Sequence, residues 1–226
     1  MFALRSALVE WQVVRARLVR TRLGVWLLAL VVSALALPGP VDADGTARVG
    51  LLAAALCVAF GAGSDGDRAA LRITLSHPTT PLAVAAGRAL AAMVAADAVV
   101  LAVVAGLAWR RGWLDPHLAR AAIVGLAAAA AGAGCTLAAA WTGGNALVGA
   151  LVFHFALLSS LAPDRLLASF EASPLAAAGS AVLWSLPGTW RAGPLAAGEP
   201  GAWLHALAWA VGGTVWAAAR LRRRIA

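Results

Sequence analysis

The sequence contains no lysine, so all eighteen of its basic residues are arginines. A P-loop needs a lysine that reaches the nucleotide phosphates, and pyridoxal phosphate and retinal both attach to proteins through a lysine amine. The chain therefore cannot hydrolyse ATP through a P-loop or carry either of these groups. We expect no bound cofactor, no catalytic residue and no enzymatic activity from this chain by itself.

Charged residues are also scarce, at 12% of the 226 residues, whereas 62% are hydrophobic. Soluble domains are about 25% charged and about 45–50% apolar, so this composition excludes a soluble globular protein. The net charge of +8 comes from arginines at the edges of apolar runs, which indicates anchoring at a lipid bilayer and no nucleic-acid partner. The two cysteines, Cys57 and Cys135, lie singly in apolar runs, so we expect packing residues and neither a disulfide nor a metal site.

Long apolar runs are abundant, and a bilayer core about 30 Å thick needs roughly 20 helical residues to cross it. Six runs meet this need, at residues 23–37, 49–63, 89–109, 119–141, 146–162 and 202–219. A seventh run, residues 175–186, would reach only about 18 Å at about 1.5 Å per residue. We therefore predict an all-α membrane protein with six transmembrane helices and a short outer re-entrant or interfacial segment.

The distribution of arginine predicts the orientation, because short cytoplasmic loops accumulate basic residues. Six spans with a cytoplasmic N-terminus put twelve arginines, Arg88 among them, in the cytoplasm and six outside, and the outer pair Arg110 and Arg111 is the main exception. We predict that both termini are cytoplasmic and that the membrane is the bacterial cytoplasmic (inner) membrane. Interfacial tryptophans are expected outside at Trp109, Trp113 and Trp203, and inside at Trp141 and Trp216.

Residues 1–22 precede the first span and have one apolar side, with Leu8 and Trp11, and one basic side, with Arg5 and Arg17. This pattern predicts an N-terminal interfacial helix. The remaining residues, 23–226, are predicted to form the six-span domain.

The polar stretch GSDGDRAALRITLSHPTT lies between the second and third spans. Asp65 or Asp67 can cap a short helix that ends before Pro78. Thr80 followed by Pro81 is a start signal for a second helix, which can continue without a break into the third span. The pattern predicts a short helix on the cytoplasmic face that is joined to a membrane helix, although a well-capped loop explains the capping signals equally well.

This loop resembles the cytoplasmic loop of ABC-2-type permeases. The matching residues are Asp67, Leu71, Leu75, Pro78, Gly87 and Arg88. The six-span plan, the N-terminal interfacial helix and the short apolar segment before the last span are also similar to that family. Asp67 stands where the family usually has Glu, and Arg88 stands where Lys is common. The compact length gives a weaker similarity to the haem-exporter B subunit of cytochrome c maturation.

The resemblance implies a transmembrane permease subunit that couples ATP hydrolysis by a separate ATP-binding-cassette subunit to substrate movement, with export as the expected direction. ATP and Mg would be used by that ATPase, and a second permease half, identical or related, would complete the pathway. The implied coupling helix carries Asp67, Arg68, Leu71, Arg72, Leu75 and Ser76. A non-enzymatic membrane scaffold or accessory subunit remains the alternative.

Two polar residues are expected at similar depth inside the membrane. Asp97 lies nine residues after Arg88, and His154 lies about eight residues into the fifth predicted span. A buried carboxylate costs roughly 3 kcal/mol or more when its charge is unpaired. We therefore expect Asp97 and His154 to approach each other, as a helix contact or in contact with a polar substrate; a protonated Asp97 that bonds to the backbone is the alternative. Small residues that favour close helix packing lie in the fourth span, at Gly125, Ala129, Gly132 and Gly134.

Overall fold

The computed structural model describes residues 2–20, 23–36, 42–62, 79–113, 115–143, 185 and 191–225, and 94% of these residues are helical. Three helical stretches are long and apolar enough to cross a membrane: Ala43–Gly61, Pro81–Arg111 and Pro116–Thr142. The predicted all-helical architecture is thus confirmed for the part of the chain that is described. The fifth predicted span, residues 146–162, lies outside it, as does all but one residue of the short segment 175–186.

The helices within the described ranges are numbered here in chain order. They are α1 (Phe2–Arg20), α2 (Leu23–Ala36), α3 (Ala43–Cys57), α4 (Pro81–Arg111), α5 (Pro116–Gly143), α6 (Ala192–Ala196) and α7 (Pro200–Ile225). A π-helical turn, Val58–Ala62, continues α3 directly. The helix α2 is only 14 residues long, about 21 Å, so it is shorter than the three stretches that could cross a membrane.

Polar residues set the start of α3 six residues before the predicted span. The Asp42 carboxylate accepts a hydrogen bond from the Gly45 N–H at 2.9 Å and caps the helix. Asp44 then forms an ion pair with Arg48 at 2.6 Å, one turn further on. The hydrophobic run did not predict this first turn of α3, because the turn is stabilised by side-chain capping and by an ion pair on an exposed polar surface.

The start of α4 is the one predicted from Thr80 and Pro81. The Thr80 hydroxyl accepts a hydrogen bond from the Ala83 N–H at 3.2 Å, and Pro81 occupies the first helical turn. The helix continues for 31 residues, about 46 Å, and stops at Gly112, whose φ of 77° suits glycine. The prediction of an unbroken helix from Pro81 through the third span is confirmed.

The packed helices define two ends of the bundle. Residues late in α5 lie against residues late in α7, since Thr142 bonds Trp216, so these two helices run parallel. Residue pairs such as Thr46 with Ala121 show that α3 also runs parallel to α5, whereas α4 runs antiparallel because a short turn joins it to α5. We call the two ends the Pro81 end, where α4 begins and α3, α5 and α7 finish, and the Arg111 end, where α4 finishes.

Glycines bring α3 and α5 into backbone contact, as the small residues of the fourth span predicted. A Cβ on Gly50 would collide with the Gly125 carbonyl oxygen, and one on Gly132 would lie 3.2 Å from the Ala54 Cβ. Next to this contact, the buried Thr46 hydroxyl lies 2.6 Å from the Ala121 carbonyl oxygen and donates across the two helices. Close backbone approach is the main source of helix association in lipid.

The same helix α5 uses Gly134 to contact α7. A Cβ on Gly134 would lie 2.6 Å from the Ala210 carbonyl oxygen, and Gly213 of α7 packs directly on the Gly134 backbone. Helix α5 is therefore the centre of the described bundle, with α3 on one side and α7 on another. The thiols of Cys57 and Cys135 are free and buried, which confirms their expected packing role.

The N-terminal helix α1 packs against α4 and the π-helical turn, which places it near the Pro81 end. Trp11 packs on the core as its predicted apolar side requires, but Leu8 of the same side is 54% exposed. The described arginines at the Pro81 end include exposed residues of α1 and α7, namely Arg15, Arg20, Arg222 and Arg223. Those near the Arg111 end are Arg48, Arg110, Arg111, Arg120 and Arg191.

Candidate functional site

The residues predicted for ATPase coupling, Asp67, Arg68, Leu71, Arg72, Leu75 and Ser76, all lie outside the described residues. So does His154, and its expected approach to Asp97 stays a prediction. After the predicted coupling helix, the described residues resume at Thr79 and include the capped start of α4. The candidate site therefore consists of α4 and the helices that hold it.

Asp97 lies sixteen residues after Pro81, near the middle of α4, and it is half-buried. Its Oδ1 atom is buried and has no hydrogen-bond partner among the described residues. A charged carboxylate at this depth costs roughly 3 kcal/mol or more without a partner, so the arrangement favours a proton or a polar group at Asp97. Within the described ranges, no three His, Cys, Asp or Glu side chains are grouped in a way that could hold a metal ion.

The first turns of α4 are held in the core on one face. Val84, Ala85, Arg88 and Ala92 lie at helical spacing on that face, and each is at most 2% exposed. The capped end at Thr80 is thus followed at once by a packed segment. Because interiors are close-packed, a displacement of the Pro81 end must move this packed face with it.

Arg88 and Trp141 form a buried clamp between α4 and α5. The guanidinium carbon of Arg88 lies 5.6 Å from the centroid of the Trp141 ring, within the roughly 6 Å range of cation–π attraction. Both side chains are 2% exposed. We refer to this pair as the Arg88 clamp, and it ties the beginning of α4 to the end of α5.

The sequence did not predict the burial of this pair. Arg88 was counted among the cytoplasmic arginines and Trp141 among the inner interfacial tryptophans, and both side chains lie inside the bundle at the Pro81 end. Trp109 and Trp113, by contrast, are 88% and 63% exposed. One feature of the sequence does indicate that Arg88 is buried: it lies on the same helical face as Val84 and Ala92.

The two exceptional arginines at the far end of α4 have local partners. Arg110 donates to the Leu35 carbonyl oxygen at 2.6 Å and so caps the last turn of α2. Arg111 forms an ion pair with Asp115 at 2.9 Å. The Leu118 N–H bond and the charge of Arg111 together lower the pKa of Asp115 below its ordinary value. These contacts give Arg110 and Arg111 structural roles, which a count of basic residues cannot predict.

An apolar groove of about 450 Å³ lies between the surfaces of α5 and α7, beside their glycine contact. Its walls are Cys135, Ala138, Ala139 and Thr142 of α5, and Ala208, Trp209, Gly212, Gly213 and Trp216 of α7. The Trp216 Nε1 donates to the Thr142 hydroxyl at 3.0 Å, and that hydroxyl donates to the Ala138 carbonyl at 2.7 Å. This groove was not predicted from the sequence. The adjacent Gly212 and Gly213 between Trp209 and Trp216 are a sequence signal for an indented helix surface.

No family model matches the chain, no curated protein matches it, and no solved structure matches it. The similarity to ABC-2-type permeases stays a prediction that rests on the loop residues and on the plan of helices.

Proposed function

We propose that the chain is the transmembrane permease subunit of an ATP-binding-cassette transporter, in which a separate ATPase drives substrate movement. One observation carries the proposal above the others: the capped loop end at Thr80 leads without a break into a 31-residue apolar helix. A loop that docks on a motor needs such a rigid connection to the membrane core. A loop with no mechanical role does not need one.

The mechanical path would begin at Pro81 and run through the Arg88 clamp. Arg88 lies seven residues after Pro81, about 10 Å along the axis. A shift or tilt of α4 at the Pro81 end would therefore act on Trp141 and on α5 before it reached Asp97. Since α5 contacts α3 and α7 through glycines, its movement would be passed to both neighbours.

The proposed topology has six transmembrane helices: the three longer stretches, α2, α7 and the predicted fifth span at residues 146–162. The Pro81 end faces the cytoplasm, both termini lie there, and the membrane is the bacterial inner membrane. The arginines of α1 and of the end of α7 support this orientation, because they gather at one end of the bundle. In the same arrangement α1 lies at the cytoplasmic interface, and residues 175–186 form the short outer segment.

The proposed partners are an ABC ATPase, which binds ATP and Mg, and a second permease half that is identical or related. The absence of lysine supports a separate ATPase, since this chain has no P-loop of its own. Asp67, Arg68, Leu71, Arg72, Leu75 and Ser76 would form the docking helix. Leu71 and Leu75 would be its apolar anchors.

The test is reconstitution of the chain in vesicles with a candidate ATP-binding-cassette subunit from the same genome, followed by measurement of ATPase activity and of candidate substrate movement. Leu71→Asp and Leu75→Asp should each lower assembly and stimulated ATPase activity at least tenfold, because a charge must then be desolvated in the docking groove. Arg222→Gln, an exposed change at the same end, is the matched control. Stimulated ATPase activity that is unchanged by both Asp substitutions would refute docking through this helix.

The backbone contacts of Gly50 and Gly134 favour a second candidate, a membrane scaffold or accessory subunit. Contacts this close suit a rigid bundle that holds a larger complex together. The scaffold predicts a stable complex whose partner activity is unchanged by the Arg88 clamp, whereas the permease predicts that Arg88→Met reduces transport per ATP hydrolysed. The ratio of transport to hydrolysis therefore separates the two functions.

A further inference from the structure

We propose that the groove between α5 and α7 binds one anionic phospholipid, with an acyl chain between Trp209 and Trp216 and the phosphate at Arg220 and Arg223. The groove, Arg220 and Arg223 have no part in the proposed path from Pro81 through the Arg88 clamp. The proposal shares with the proposed function only the placement of α7 in the bilayer. It needs neither the ATPase nor a transported substrate.

The groove has the size and chemistry of an acyl-chain site. Its volume of about 450 Å³ falls within the roughly 300–1,000 Å³ of small-molecule pockets. Eight residues of α7 separate Ala208 from Trp216, which is about 12 Å of helix, and one leaflet contributes about 15 Å to the hydrocarbon core. The groove thus has the depth that a chain in one leaflet would occupy.

The two tryptophans are fixed by hydrogen bonds, so the walls are formed before a ligand binds. Trp216 is held by Thr142, and the Trp209 Nε1 donates to the Ser185 carbonyl oxygen at 2.6 Å. Gly212 has no atom within 4 Å of where its Cβ would be, so space is open between the tryptophans. A preformed apolar site loses less conformational entropy when it is filled.

Positive charge continues the groove at the Pro81 end of the bundle. At 100° per residue, Arg220 and Arg223 lie on the same stripe of α7 as Trp209, Gly212 and Trp216. Arg220 is one turn beyond Trp216, about 6 Å, and Arg223 is about 10 Å beyond it. Arg220 is half-buried and Arg223 is exposed, at the Pro81 end of the bundle.

This order of groups matches a phospholipid, which joins an apolar chain to a phosphate. An apolar transported molecule would match the groove but not the arginines, and free phosphate would match the arginines but not the groove. Arg222 lies on the opposite side of α7 and is also exposed, so it carries the same charge without facing the groove. The helix therefore contains its own matched control.

The experiment is native mass spectrometry of the purified chain in detergent that contains equal amounts of phosphatidylglycerol and phosphatidylcholine. We expect one retained phosphatidylglycerol per chain, with at least a fivefold preference over phosphatidylcholine. Each basic residue near a membrane surface adds about 1 kcal/mol of attraction to anionic lipid, so Arg220→Gln and Arg223→Gln should each weaken retention about fivefold. Arg222→Gln should leave it unchanged, as should an excess of inorganic phosphate.

A second pair of variants tests the groove itself. Gly212→Leu places a side chain between the two tryptophans and should lower retention of both lipids, whereas Val211→Leu, on the exposed opposite side, should not. Helix content by circular dichroism checks that each variant is folded. Equal retention of the two lipids would overturn the proposal, as would a loss of retention in Arg222→Gln equal to that in Arg220→Gln. Full retention of lipid by Gly212→Leu would also overturn it, because the groove would then be filled by the chain itself or by a second copy. Each of these results leaves the ATPase assay unaffected, so failure here is distinct from failure of the proposed function.

Discussion

The Arg88 clamp gives the sharpest test of how α4 is held. Arg88→Met removes the charge and keeps much of the side-chain volume, and Trp141→Leu removes the ring. A desolvated cation–π contact contributes about 2 kcal/mol, so a double-mutant cycle over the two positions should give a coupling energy of about 1–2 kcal/mol. The burial of both groups favours the upper part of that range, whereas the ring centroid distance of 5.6 Å, near the limit of about 6 Å, favours the lower part.

Single substitutions at the clamp should also exceed their surface counterparts. Trp141→Leu removes a large buried side chain and should cost about 2–4 kcal/mol of unfolding free energy. Trp109→Leu is the matched control, because the same change at an 88% exposed ring opens no cavity. Arg222→Met is the corresponding control for Arg88.

The assay is reversible unfolding by sodium dodecyl sulfate in mixed micelles, followed by far-ultraviolet circular dichroism. Ellipticity is preferred to fluorescence because the chain has ten tryptophans. A coupling energy below about 0.3 kcal/mol lies within the usual error of additivity and would refute a direct interaction between Arg88 and Trp141. Equal losses for Trp141→Leu and Trp109→Leu would refute the buried position of the ring.

Three further outcomes follow from local contacts. Gly50→Ala should cost about 1–3 kcal/mol in the same unfolding assay, because its Cβ meets a backbone carbonyl, and Gly212→Ala should cost nothing; equal values would contradict the close contact. Thr46→Val keeps the shape and removes the interhelical donor, with an expected loss of about 0.5–1 kcal/mol, and no loss would argue against that bond. The pKa of Asp115 is lowered in the folded state, so its stabilisation is present above about pH 4 and is lost as pH falls through the folded pKa. Asp115→Asn should flatten the dependence of stability on pH below about pH 5, and an unchanged slope would contradict the stabilisation of the Asp115 carboxylate by the Leu118 N–H and Arg111.

Local signals predicted the elements that local physics determines. Thr80 and Pro81 fixed the start of α4 because capping and a preset φ act within one turn. The apolar lengths of the third and fourth spans likewise predicted α4 and α5, apart from polar extensions at their ends. The small residues of the fourth span predicted close packing, but not that Gly125 faces α3 while Gly134 faces α7.

Features that depend on distant partners were not predictable in the same way. The burial of Arg88 against Trp141 was not predicted, because a count of charges carries no information on an aromatic ring 53 residues later in the chain. Arg110 was an exception to the charge rule until its bond to Leu35 placed it at the end of another helix. The groove between α5 and α7 depends on how two helices cross, and composition does not encode that crossing.

The π-helical turn over Val58–Ala62 decides in which direction the chain leaves α3. A π turn holds one residue more than an α turn, so residues beyond it are rotated by about 100° relative to a regular helix. Thr46 and Gly50 precede the turn, and their contacts with α5 do not depend on it. Gain or loss of one residue within the turn would therefore change how the turn packs on α1, α4 and α5, whereas the contacts of Thr46 and Gly50 would stay as they are. A change of length at this point would thus alter one end of the bundle and leave the glycine contacts between α3 and α5 in place.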